Sequence, residues 1–137
     1  MSQRKKFDPT EFLYFAEELI KFEGVFDYVD AKIRTVLSRC YYAVFLNCAL
    51  RVLGLKPTQK LDHEKVFRKI KNKGELGRIV AKELDYLWIY RKAADYYPDT
   101  PYTIMGRERE KTVLCSEREA EDAINKVKRA LEKIGIL

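Results

Sequence analysis

With 137 residues, 47% of them hydrophobic and 35% charged, the chain is sized for one domain whose core needs neither disulfides nor metal. This composition excludes a disordered chain, and the longest apolar run, Tyr41 to Leu46, is far too short to cross a bilayer. The net charge of +6 suits a polyanion partner, and the opening MSQRKKFDPT lacks the apolar core of a secretory signal, so a cytoplasmic location is expected.

The first helix is announced by Asp8-Pro9-Thr10-Glu11, where Asp8 can cap, Pro9 fits the first helical position and Glu11 reaches back to the cap. Phe12, Phe15, Ala16, Leu19 and Phe22 then form an inward stripe, with Gly24 as the exit. A short joint containing Asp27 and Asp30 leads into AKIRTVLSRCYYAVFLNCALRVLG, Ala31 to Gly54, which reads as one central helix stopped by Gly54 and Pro57. Its second half is apolar nearly all round and must be covered on several sides. Its first half sets Arg34, Ser38, Tyr41, Tyr42 and Phe45 on neighbouring faces, a surface able to recognise a ligand as well as pack.

Asp62 caps a third helix with Val66, Phe67 and Ile70 facing inward. Between residues 65 and 82, Lys65, Arg68, Lys69, Lys71, Lys73, Arg78 and Lys82 are opposed only by Glu75, a stripe equally compatible with a nucleic acid and with an ordinary solvated face. Gly74 and Gly77 are expected to bracket a break. A fourth helix then runs from about Leu76 to about Tyr96, with Ile79, Val80, Leu84, Leu87 and Trp88 on its inner side. Pro98 and Pro101 open a turn-rich loop from Tyr97 to Gly106, expected to be mobile and to sit at the mouth of a groove beside Arg91. The last helix starts near Ser116, buries Ala120, Ile124, Val127 and Leu131, and stops at Gly135.

No segment alternates with period two, so the fold class is all-α: an up-and-down bundle of about five helices over residues 1–137, with helices two and four as the long central pair. Cys40, Cys48 and Cys115 show no metal-ligand spacing, so neither a metal nor a cofactor is expected, and they read as small buried thiols.

Arg91 continues the inner stripe of helix four at the same spacing. A guanidinium there needs partners, and Asp95 stands one turn on, where a simple Arg91–Asp95 bridge is the plain structural reading. The motifs SRCYYAVF, LDHEKVFRKI and YRKAADYYPDTPYT together resemble the HEPN domain family, in particular its small prokaryotic members with an R-x-x-A-D-Y signature. The resemblance implies a dimerising helical bundle that pairs its arginine motifs in a shared groove, binds RNA or a nucleotide, and acts with a minimal nucleotidyltransferase as a toxin-antitoxin pair. It also implies a metal-independent endoribonuclease, with Arg91 as the motif arginine. Lys92 stands where a smaller polar residue is usual, and Tyr96 stands where the catalytic histidine would fall.

A histidine with a pKa of about 6.5 can take the 2′-hydroxyl proton at neutral pH, whereas a tyrosine titrating near 10 is poorly suited. The expected site is therefore catalytic at Arg91 and Tyr96 only weakly, and ligand-binding through Arg34, Ser38, Tyr41, Arg91, Lys92, Asp95 and Tyr96. His63, the one histidine, is read as structural and as facing another part of the bundle. The alternative is a non-catalytic, dimeric interaction module.

Overall fold

The structure is a computed structural model describing residues 6–23, 28–56 and 58–136. Its helices are α1 (Glu11–Lys21), α2 (Val29–Leu46, continued by a π-helix, Asn47–Val52), α3 (His63–Lys71), α4 (Gly74–Tyr96) and α5 (Glu117–Ile134). Two short strands, β1 (Tyr102–Met105) and β2 (Glu110–Val113), join α4 to α5. The fold is an all-α bundle with one small hairpin. The expected roles of Gly24, Asp27 and Pro57 lie outside the described residues.

α2 packs against α1, α4 and α5, while α4 packs against α2, α3 and α5, so these two form the centre of the bundle. Val36, Leu37, Cys40 and Val44 of α2 and Val80, Leu84, Leu87 and Ala93 of α4 are fully buried between their neighbours. Solid contact on several sides is what an all-round apolar helix requires. The helix does not run regularly to Gly54, however. At Asn47 it widens into π geometry, and the buried Asn47 amide donates to the Ala43 carbonyl at 2.6 Å, supplying a partner where the hydrogen-bond register shifts.

α1 starts later than Asp8-Pro9 suggests, with Thr10 at the cap position and the Asp8 carboxylate accepting the Thr10 N–H at 3.0 Å. Its inner face is also rotated: Leu13 and Ala16 are buried, whereas Phe15 and Phe22 are 51% and 55% exposed. Phe12 and Leu19 of the expected stripe do pack against the core beside Ala16, and the error is confined to Phe15 and Phe22, whose rings face outward while Leu13 is buried instead. No break separates Gly74 from Gly77 either. Gly77 lies in the first turn of α4, where a Cβ would collide with the Ile70 carbonyl, so glycine permits the close approach of α3. The caps on α3 and α5 are as expected: Asp62 accepts from Glu64 N–H at 3.0 Å, and Ser116 and Glu119 form a reciprocal capping box.

The stretch after α4 departs most from expectation. Tyr102 pairs with Val113 and Met105 with Glu110 in an antiparallel ladder, and the inner side of the hairpin buries Ile104 and Val113. Four-residue strands with so few apolar positions show no alternation in sequence; their pairing is set by an anchor on α4. The Asp85 carboxylate, fully buried, accepts Arg107 N–H at 2.7 Å, Glu108 N–H at 3.0 Å and Arg109 Nη1 at 3.1 Å. Gly106 lies against it so closely that a Cβ would sit 2.6 Å from Asp85 Oδ1. The expected loose loop is thus a strand ending in a tight, charge-anchored turn.

Replacing Asp85 by Ala would take the buried acceptor from two part-buried N–H groups and from the Arg109 guanidinium, so it should cost about 3 kcal/mol in urea unfolding. Amide exchange should speed up most at residues 102–113. A loss below about 0.5 kcal/mol would refute the anchor.

Candidate nucleic-acid interface

Four residues are strung across the seam between α2 and α4. Arg39 donates from Nη2 to Ser38 Oγ at 3.1 Å, and Ser38 donates to Asp95 Oδ2 at 3.2 Å. The same Asp95 oxygen lies 3.0 Å from Arg91 Nε. This is the ion pair expected from the i,i+4 spacing, but Nε–H points out of line and makes no hydrogen bond there, so the contact is ionic. Arg91 uses Nη2 to donate to Tyr96 Oη at 3.2 Å.

Aromatic rings surround both guanidiniums. Arg91 lies 5.1 Å from the centre of the Tyr96 ring, 5.5 Å from Tyr42 and 5.8 Å from Tyr41, and Arg39 lies 4.9 Å from Tyr42 and 5.1 Å from Phe12. Such contacts hold a guanidinium in place without consuming all its donors. Burial works to lower the Arg91 pKa, but the Tyr42, Tyr96, Asp95 and Tyr41 side chains outweigh it and hold the group above its ordinary value. Arg91 is therefore a permanent cation at the rim of the core, next to a Tyr96 ring that is 59% exposed. Sequence reasoning left Arg39 and Phe12 out of the site and placed Tyr42 on the recognition face without naming it a ligand residue, although Arg39 and Tyr42 stand three residues apart on one helix and carried that signal.

The other expected members are placed differently. Arg34 was expected among the ligand-binding residues. Its Nη1 donates to the carbonyls of Ala93, Ala94 and Tyr97 at 3.1, 3.2 and 2.9 Å, and its Nη2 to that of Pro98 at 3.2 Å, while Nε pairs with Asp30 at 2.9 Å. It closes the C-terminus of α4 by donating to the carbonyls at its end, of which that of Ala93 also accepts Tyr97 N–H at 3.2 Å. Tyr41 is only 3% exposed, and burial first of all pushes its hydroxyl far above the ordinary range, so it supports the cluster from beneath. Lys92 turns away, with Nζ 4.6 Å above the Trp88 ring.

His63 does not face another part of the bundle. Its Nδ1 is 2.9 Å from Tyr41 Oη, and its ring is stacked against Trp88, Phe67 and Phe45 at centroid distances of 4.9, 6.2 and 6.4 Å. Burial, with Arg107 and Arg91 adding to it against the opposing pull of Asp62, lowers its pKa from 6.5 to about 3. Nε2 is buried without a partner. The imidazole is thus a neutral, half-buried packing element beneath the arginine cluster, with Nδ1 engaged by Tyr41 and Nε2 shielded from solvent. Among the described residues no three His, Cys, Asp or Glu side chains converge to hold a metal, and no helix is long and apolar enough to cross a membrane. The cysteines are buried, with Cys40 and Cys48 pushed up to about 12 by that burial, so they are poor nucleophiles.

Because His63 is neutral when folded and titrates near 6.5 when unfolded, protons bind preferentially to the unfolded chain below pH 6.5. Stability is therefore retained above pH 6.5 and lost as pH falls from there toward about 3, by about 2 kcal/mol at pH 5 from this group. Urea unfolding of wild type and His63→Gln at pH 7.5 and 5 should show the larger acid loss in wild type. Equal losses would refute the assignment.

The model of the HEPN domain family matches residues 11–137, nearly the whole chain. No curated protein and no solved structure gives a match. A helical bundle centred on SRCYYAVF and YRKAADYY, matched by the family model from α1 to the end of α5, is a member of the HEPN domain family.

Proposed function

We propose that this HEPN domain binds single-stranded RNA at the arginine–tyrosine cluster and cleaves it slowly or not at all. The observation that carries this reading is Arg91, a fixed cation beside the exposed Tyr96 ring, with Arg39 linked to it through Ser38 and Asp95. Arginine offers forked donors to phosphate, and an open aromatic face stacks a base of any identity. Lys65 and Lys69 of α3, without carboxylate partners among the described residues, add a salt-sensitive approach surface, while Arg68 and Lys71 are tied to Glu64 and Glu108. Metal-independent cleavage at Arg91 and Tyr96 is disfavoured because the imidazole of His63 is engaged by Tyr41 at Nδ1, stacked on Trp88 and shielded from solvent at Nε2. In this reading the protein works in the cytoplasm with a minimal nucleotidyltransferase, as one half of a toxin-antitoxin pair.

The second reading, an interaction module, draws on a different observation. Phe7, Tyr14, Phe15 and Phe22 leave large apolar area exposed along α1, next to Phe12 and Arg39 of the cluster. A homodimer built on this face would bring two clusters near each other. Light scattering should report a dimer at micromolar concentration, and Phe15→Glu should shift it to monomer. A wild-type protein that stays monomeric would remove the shared groove.

RNA binding is tested by gel shift with labelled oligoribonucleotides in EDTA. Wild type should bind, Arg91→Ala should lose at least tenfold in affinity, about the worth of one charge-assisted contact, and Lys65→Ala should only flatten the salt dependence. Tyr96→His should raise any cleavage. Strong cleavage that survives Arg91→Ala would overturn this assignment of the site, and no binding by any variant would leave the interaction module.

A further inference from the structure

Asp95 uses only one of its oxygens. Oδ2 accepts from Ser38 and meets Arg91, whereas Oδ1 receives no hydrogen bond from any described residue. The side chain remains 31% exposed. It stands where two shallow depressions of about 450 and 440 Å³ adjoin, one leading past Ser38 to Arg39 and the other past Tyr96 to Pro98. A ligand lying in both depressions would meet Asp95, which lines each of them and whose carboxylate oxygens can only accept.

Even with Oδ2 paired, an open carboxylate oxygen on a phosphate-binding surface is unfavourable beside the backbone unless the ligand brings a donor to it. The sugar-phosphate backbone of RNA has one kind of donor, the 2′-hydroxyl, and DNA has none. Resting on the RNA-binding reading above, we propose that Asp95 Oδ1 accepts a ribose 2′-hydroxyl and so makes the site select RNA over DNA. Arg91 and Arg39 hold the flanking phosphates in this arrangement, and Ser38 orients the carboxylate so that Oδ1 stays free. Amino groups of the bases are the competing donors, and they are present in both nucleic acids.

The test compares one sequence synthesised as RNA, DNA and 2′-O-methyl RNA, titrated in EDTA by fluorescence anisotropy. The 2′-O-methyl form keeps the ribose shape and loses only the donor. Wild type should bind RNA about tenfold tighter than the other two, the usual scale for a hydrogen bond to a charged acceptor. Asp95→Ala also loosens Arg91 and removes a negative charge, which shifts the absolute affinities of all three, so the readout is the ratio, which should collapse to near one. Equal binding of the three by wild type, or a preference that persists in Asp95→Ala, would overturn the Asp95 assignment while leaving RNA binding intact. Failure of wild type to bind any of the three would instead defeat the RNA-binding reading itself.

Discussion

The packing of α2 on α4 is the constraint from which the rest follows. Two long helices sealed by Leu37, Val44, Leu84 and Leu87 have no freedom to slide, because each of these side chains is fully buried. Rotation of either helix would drive polar residues of the seam into that core. At the C-terminal end of α4 the apolar contact gives way to a polar one, in which Arg34 crosses from α2 to hold the carbonyls of Ala93, Ala94, Tyr97 and Pro98. Thus α4 ends where α2 dictates, and Tyr96 is presented at a defined place beside Arg91.

The arginine–tyrosine cluster lies at the margin of this seam. A guanidinium deep in the core would carry a large desolvation penalty, and one in open solvent would be screened and mobile. Arg91 avoids both, with one edge on Asp95 and aromatic faces around it. Beneath it, Tyr41 and His63 form a hydrogen-bonded pair inside further aromatic rings, which keeps the floor of the site uncharged. The histidine is therefore close to the cluster without being part of its chemistry.

Buried polar groups elsewhere organise the parts that hydrophobic packing leaves undetermined. Asp85 gathers the turn between β1 and β2, and Asn47 repairs the hydrogen-bond register where α2 becomes a π-helix. Each is a buried polar residue satisfied by partners outside its own regular helical bonding, Asp85 by the turn backbone and Arg109, Asn47 by the Ala43 carbonyl, Thr10 and Arg51. Such partners are invisible to any local pattern.

What the sequence determined by itself was whatever rests on local period and cap chemistry: five helices, the caps at Asp62 and Ser116, the stop at Gly135, the Arg91–Asp95 pair at four-residue spacing, and the motif resemblance that the family match bears out. Tertiary structure decided what depends on a partner from another element. It rotated α1 so that Phe15 faces outward, paired two strands too short to announce themselves, turned Arg34 from a ligand candidate into a helix cap, and seated His63 under Arg91. The reason is physical: a helix period tells which residues share a face, but the burial of that face and the destination of its charges are set by the neighbour that covers it.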